Sequence, residues 1–425
     1  MSELEGKRRS MGGRTAAGLL LLAMLAALLF RPLVSALSPS PRGERVVLWH
    51  SQRGTEREIT EQLIREFNAQ NEGRVFVEPL AVPDASFKDK LLRTVPRGGG
   101  PDVFLRPHNE LGEFLAQDVV AELPRDERDL LTGLRSGLEQ EGKSYGAALT
   151  YKSLLLFYNK RLLPGGPPRS LDERRALRAQ LSEGIFPLAY EANVFFFHAP
   201  LFLASGGSIF KDDGGFAVFD DLRSFRLVGE LRKEGTIPRE PTYNEAIRLF
   251  EAEQAATLIC GPWYTPGGKV ADAYDVAPLF AVGGRPAGSF VTVEAAFGIW
   301  TTGPLALASE VARVMASEHA QRARVAALSL PPVEARLYED EAFRSAASSD
   351  LALRSIEVQR ASLLSGLVTP TSTRMAAVWR PGDDVLRASV AGRDVDLAVE
   401  QAQYTLTRVA EYQPKAADST IYGVL

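Results

Sequence analysis

The chain has 425 residues, too many for a single hydrophobic core, so two domains are expected. Its 45% hydrophobic and 24% charged residues are ordinary for a globular protein and exclude fibrous or disordered classes. The net charge of −4, with no basic block, argues against nucleic acid as a partner.

At the N-terminus Lys7, Arg8, Arg9 and Arg14 precede the apolar run Ala16–Phe30, and Val34-Ser35-Ala36 supplies small residues for cleavage. This is the layout of a secretory signal peptide over residues 1–36. The run is shorter than the about 20 residues of a membrane span, although an uncleaved anchor is the alternative. Cys260 is the only cysteine, so no intramolecular disulfide forms, and an exported chain of this kind fits the bacterial periplasm.

Val46–Trp49 reads as a buried strand, and Thr55 with Glu58 as a capping box opening a helix whose Ile59, Leu63, Ile64 and Phe67 share one face. The loop His50–Gly54 then lies at a strand's carboxyl end, where open α/β sheets bind ligands. Arg74–Val82 is a second strand, Phe87–Val95 a short helix and Pro101–Leu105 a third strand, followed by the loop Arg106–Glu110 and a helix through Gln117. Gly98-Gly99-Gly100 precedes a strand and lacks a following Lys-Ser/Thr, so it is no phosphate loop.

Tyr145–Tyr158 is apolar except at Lys152-Ser153, the pattern of two strands meeting at a polar break between domains. Helices are expected over Leu171–Leu181, Asn193–Ala204, Asp221–Lys233 and Tyr243–Glu253, with strands at Phe186–Tyr190, Ala255–Cys260, Val276–Phe280, Phe290–Val293 and Ala296–Thr301. Helices follow across Ala306–Ser329, Glu341–Ser348 and Val395–Val409, and residues 412–425 read as a loose tail. The alternation predicts an α/β fold with largely parallel sheets.

Six motifs carry a resemblance: Trp49-His50-Ser51, Gly100-Pro101-Asp102-Val103, Phe157-Tyr158-Asn159-Lys160 with Pro164, Ser205-Gly206-Gly207, Gly261-Pro262-Trp263, and Met375–Trp379. In this order and spacing the chain resembles the maltose-binding protein family, the extracellular solute-binding proteins of carbohydrate ABC transporters. The resemblance implies a two-lobed periplasmic binding protein fold (type II), with hinge strands and a ligand cleft between the lobes. One lobe would comprise residues 45–150 plus 296–350 and the other 155–290 plus 351–411, with crossings near Thr150–Leu154, Val291–Ala295 and Ser349–Leu353. It also implies a monomer that takes an oligosaccharide and passes it to permease subunits in the inner membrane.

Aromatic faces in such sites cover the C–H face of a pyranose while polar groups bond its hydroxyls. By resemblance Trp263, with Tyr264 beside it, and Trp379 are stacking residues, and Phe196 stands where the family has a stacking tyrosine. The polar positions depart from the maltose-binding pattern: Arg106 stands for a tryptophan, Asn109 and Glu110 for an Asp-Arg pair, Lys152 for a hinge carboxylate, and Asp383 for an arginine. Lys152 is read either as a solvated hinge lysine or as a cleft residue paired with Glu294. The Trp-His-Ser opening, with Ser51, also resembles the glycerol-phosphate-binding branch, where Arg53, Arg106 and Lys152 would serve an anionic polyol. An enzyme is the competing class, but His50, His108, His198 and His319 are scattered, and there is neither a zinc spacing nor a nucleophile elbow. Glu110 and Glu294 are the one carboxylate pair a glycan-acting enzyme would offer. No cofactor and no metal is expected.

Overall fold

The computed structural model describes residues 43–299, 305–347 and 349–412. The expected signal peptide, the Pro/Ser segment after it, and the tail from residue 413 lie outside the described residues.

Residues 43–45 and 68–76 form a small unit of their own. The Glu44 N–H donates to Arg74 O at 2.9 Å, and Arg74 N–H donates to Asn71 O at 3.0 Å. Gly43, at φ +126°, lets this approach occur, since a Cβ there would stand 2.7 Å from the Arg74 carbonyl carbon.

In chain order the remaining elements begin with β1 (Glu44–His50), α1 (Gly54–Gln70), β2 (Val75–Ala81), α2 (Asp84–Thr94), β3 (Val103–Pro107) and α3 (Leu111–Ala116). A two-residue hairpin, β4 (Glu139–Gln140) and β5 (Lys143–Ser144), leads into β6 (Gly146–Lys152) and β7 (Leu155–Asn159). Next come α4 (Leu171–Leu177), α5 (Phe195–Ala204), α6 (Arg223–Lys233), α7 (Tyr243–Glu251), β8 (Thr257–Cys260), β9 (Tyr274–Ala277) and β10 (Phe290–Gly298). The described chain closes with α8 (Leu305–Met315), α9 (Glu318–Leu328), α10 (Glu341–Ala346), α11 (Asp350–Leu363), β11 (Leu367–Val368), α12 (Thr373–Val390) and α13 (Val395–Tyr412).

Two sheets carry the fold. The first has the order β11-β10-β3-β1-β2, with β6 on β10 as well. The second is β8-β7-β9. The expectation of largely parallel sheets needs correction. β1 runs parallel to β3 and β10 parallel to β11, but β10 is antiparallel to both β3 and β6, and β7 is antiparallel to both neighbours. In the second sheet parallel pairing survives only as isolated bridges, Phe186 to Ala255 and Ala189 to Leu258, where a full strand at Phe186–Tyr190 was expected. The chain enters β7 from the first sheet and β10 from the second, and both run antiparallel to the strands beside them except where β10 meets β11.

The two strands expected at 290–293 and 296–301 are one, β10, with a bulge at Glu294/Ala295 that reads in sequence as a break. Residues 300–304 lie outside the description. The helix expected to follow a Thr55–Glu58 capping box begins already at Gly54, which takes φ +50°.

Burial explains why Tyr145–Tyr158 is apolar almost throughout. From Leu154 into β7, Leu154 and Leu156 face a core with Tyr190, Phe195 and Phe225, while Leu155 and Phe157 face a second one with Leu258, Cys260 and Val276. With both faces covered, alternation disappears from the sequence. Tyr151 points into a further core of the first sheet, built on Trp49, Phe87, Phe104, Phe114 and Phe297. β10 passes between cores: Phe290 belongs with Phe195, whereas Val291 and Val293 belong with Phe104. α11 likewise sends Ile356 to a cluster with Tyr338 and Phe343 and Val358 to the core of Phe157.

One contact gives an immediate test. Gly112 on α3 abuts the segment between β11 and α12, and a Cβ there would stand 1.7 Å from Thr371 O. Backbone cannot yield as a flexible side chain can, so Gly112→Ala should cost about 2–3 kcal/mol through overpacking. An unchanged urea midpoint in that variant would show that the contact is looser than described.

Candidate functional site

Three of the aromatic residues picked out by sequence meet on one surface. Phe196 sits in the first turn of α5, Trp263 on the loop after β8, and Trp379 on α12. Ring centroids lie 6.3 Å apart for Phe196–Trp263 and 6.4 Å for Phe196–Trp379, so Phe196 joins the two indoles. Phe290 at the start of β10 backs the group, 5.3 Å from Trp379 and edge-on to it. Phe196 and Trp379 are half-buried, but Trp263 is 47% exposed, one of few large apolar side chains among the described residues left open to solvent. An indole so exposed on an aromatic floor is available to a ligand.

Local chemistry fixes each ring. Gly261 allows the indole to fold back on its own loop, since a Cβ there would fall 2.1 Å from the Trp263 ring. Gly382 on α12 admits Phe195 so closely that a Cβ would meet its ring at 2.8 Å. The next residue, Asp383, accepts a hydrogen bond from Phe195 N–H at 2.7 Å. Val194 at the cap position of α5 has no side-chain acceptor to offer, so Asp383 supplies one from α12. That bond orients the Phe196-bearing turn. Burial raises the Asp383 pKa, opposed by the Phe195 amide.

Tyr264 does not join the group. Its ring packs edge-on against Phe157 at 5.3 Å and its hydroxyl donates to Glu251 at 3.3 Å, so it belongs to the core on the other face of the small sheet. Consecutive residues on this loop point to opposite sides.

The polar candidates gather in the first sheet. Arg106 is buried and stands 4.9 Å over the Phe87 ring. Its Nε donates to Glu110 at 2.8 Å, a second nitrogen also reaches Glu110, and the third reaches Asp84 at 2.5 Å and Ser51 at 3.2 Å. Burial works against its charge, but Glu110 and Asp84 outweigh burial and raise its pKa. Arg106, Glu110 and Ser51 are thus one closed network with Asp84, which sequence did not single out. Arg53 is exposed, and Asn109 is half-buried between His108 and Glu110. Lys152 lies at the end of β6 with Nζ 3.2 Å from Glu294 and 3.6 Å from Glu56. The pairing with Glu294 is therefore the reading the geometry supports, with Glu56 as an unforeseen second partner.

Of the histidines, His108 is buried between strands. Its Nδ1 accepts from Val293 N–H at 2.9 Å, which leaves Nε2–H to donate to Thr369 O at 2.8 Å. Burial, the largest influence, lowers its pKa to about 4. His50 is buried as well, and its pKa is lowered chiefly by burial. The carboxylates Glu110 and Glu294 are each bound to a cation, and among the described residues no group of three or more His, Cys, Asp or Glu is placed to hold a metal ion.

Residues 62–348 match the family of bacterial extracellular solute-binding proteins, about two thirds of the chain. The chain belongs to that family. Among curated relatives of this solute-binding protein, the maltotriose-binding protein of Pyrococcus abyssi is 26% identical over 251 residues, covering 55% of this chain and 53% of that protein. The match thus spans about half of that relative's length. The galactooligosaccharide-binding protein of Bacillus subtilis is 24% identical over 393 residues, 87% of this chain and 90% of that one. Among solved structures, a cyclo/maltodextrin-binding protein complexed with maltotetraose superposes with TM-score 0.76 at 22% identity, covering 89% of this chain and 100% of that one. The maltose/maltodextrin-binding domain from Bdellovibrio bacteriovorus bound to maltotriose gives TM-score 0.71 at 20% identity, over 86% and 100%. The solute-binding protein therefore has the two-lobed type II fold that the sequence motifs implied. No helix among the described residues is long and apolar enough to cross a membrane.

Proposed function

We propose that this solute-binding protein captures a maltodextrin-like oligosaccharide in a cleft between its lobes and delivers it to the permease of an ABC importer. The observation that carries this reading is the half-exposed Trp263 joined through Phe196 to Trp379, a continuous aromatic surface of the kind that covers a pyranose face. Names of relatives that bind maltotriose and galactooligosaccharides support the saccharide class. The lobes correspond to residues 45–150 plus 296–350 and 155–290 plus 351–411. Ligand contacts from both lobes favour the closed form, because the open form offers only part of them. The protein acts by binding, as a monomer in the periplasm after export, with no catalytic step.

Calorimetric titration with maltotriose tests the reading. Wild type should bind one equivalent, and Trp263→Ala should bind at least about tenfold more weakly, equivalent to about 1.4 kcal/mol, with its melting temperature preserved. Equal affinity of the two proteins would remove Trp263 from the site.

The anionic-polyol alternative has less support. Two of the cations it needs are engaged by carboxylates, Arg106 by Glu110 and Asp84, and Lys152 by Glu294 and Glu56.

A further inference from the structure

A cavity of about 390 Å³ opens between the last turn of α6 and the chain that leads into α7. Its size falls in the range of about 300–1,000 Å³ usual for ligand pockets. Phe186 in its lining bridges Ala255, just before β8, whereas Trp263 follows the other end of β8. The cavity and the aromatic rings therefore lie at opposite ends of one strand.

The floor is apolar: Ile237 is fully buried, Pro238 is buried and Phe186 half-buried. The rim is cationic. Arg232, Lys233 and Arg239 line it, and Arg178 reaches Gly235 in the lining, its Nε 3.6 Å from where a Cβ would stand. Among the described residues none of these four cations forms an ion pair. Arg178 donates to Leu181 O and Arg232 to Arg239 O, both uncharged carbonyls. Of the carboxylates in the lining, Glu245 is held by Arg248 through two bonds of 2.7 Å, which leaves Glu240. Glu230 and Glu234 on α6 are drawn off by Arg175. Four uncommitted cations thus face one uncommitted carboxylate, in a chain whose net charge is −4. The dipole of α6 favours cations in its last turn and accounts for Arg232 and Lys233, but Arg178 and Arg239 stand on other segments.

We propose that this cavity is a docking site for an acidic peptide segment of a protein partner, with its carboxylates on the four cations and an apolar side chain on the floor. A neutral saccharide brings nothing that complements the cations. A flat anionic membrane meets the rim, where Glu240 repels it, but does not reach the floor. Because the cavity is remote from Trp263, the partner and a ligand on the aromatic surface can be held at once.

The test is fluorescence anisotropy on the exported protein with a labelled, end-capped hexapeptide of alternating glutamate and leucine, compared with the same peptide carrying glutamine for glutamate. Wild type should bind the glutamate peptide at least about tenfold more tightly, and the preference should shrink as salt is raised. Lys233→Glu combined with Arg239→Glu changes two exposed residues and leaves both carbonyl bonds in place. That variant should bind the glutamate peptide at least about tenfold more weakly, with its melting temperature kept. Equal affinity for the two peptides, binding of neither, or full binding by the double variant would each overturn the assignment. Retention on phosphatidylglycerol vesicles without peptide binding would overturn it in favour of a lipid surface. The peptide readout does not involve the saccharide cleft, so its failure leaves the saccharide reading intact.

Discussion

Replacing His108 by phenylalanine should destabilise the protein by about 4 kcal/mol and flatten the acid side of its stability profile. The imidazole joins β10, through Val293 N–H, to the segment after β11, through Thr369 C=O. Phenylalanine keeps a ring beside Gly137, where any Cβ would strike the His108 ring at 2.4 Å, but it leaves both backbone groups without a partner. Each unmet buried group costs about 1–3 kcal/mol. The pH dependence follows from the same burial. An unfolded imidazole titrates near 6.5 and the folded one at about 4, so as pH falls the unfolded chain binds the proton first. The stability held by neutral His108 is complete above about pH 6.5, is lost between there and pH 4, and amounts to about 3 kcal/mol. His198, lowered to about 3 by its burial, acts with the same sign and extends the loss further into acid. Urea melts of wild type and His108→Phe at neutral pH and near pH 4 measure both effects. Parallel profiles would mean that His108 does not govern the acid limb.

Arg106→Ala should cost about 3 kcal/mol of stability and leave saccharide affinity within a few-fold of wild type. Breaking a buried ion pair from one side strands the other charge, at about 3–5 kcal/mol when both partners are buried. Here Glu110 is mostly buried, whereas the Asp84 side chain is 62% exposed and solvent screens most of its share, so the lower end applies. If Arg106 instead served a ligand anion, the variant would lose affinity for glycerol phosphate and little stability. Thermal melts combined with titrations of both ligand classes separate these outcomes.

The contrast between Trp263 and Tyr264 shows how far sequence carried the site. Gly-Pro-Trp after a buried strand marked a tryptophan at a strand end, and the exposed indole stands there. Nothing in neighbouring letters said that Tyr264 would turn to Phe157, because side chains leave an irregular loop in directions set by tertiary packing. Phe196 and Trp379 were legible as aromatics on helices, but their junction depends on Gly382 admitting Phe195 and on Asp383 capping α5, contacts across 188 residues. Pro381 and Gly382 lie inside an unbroken helix, and both are buried.

Charge was harder to read than apolarity. Arg106, Lys152 and Arg53 looked like a set that an anion would favour, yet Arg106 is taken up by Asp84 and Glu110. Lys152 is shared by Glu56 and Glu294. A buried cation almost always has a partner, but the partner is chosen by the fold rather than by sequence distance. Strand pairing followed the same pattern. Apolar runs located β6, β7 and β10, while direction and the bulge at Glu294/Ala295 came from how the chain passes from one sheet to the other.

The most direct test of the central claim is thermal unfolding of the exported protein against maltose, maltotriose, trehalose, other neutral disaccharides and glycerol phosphate. A specific ligand at a thousandfold excess over its Kd stabilises the native state by about 4 kcal/mol. Saccharide capture requires a clear upward shift of the melting temperature with at least one neutral oligosaccharide and none with glycerol phosphate. A shift confined to glycerol phosphate would contradict it.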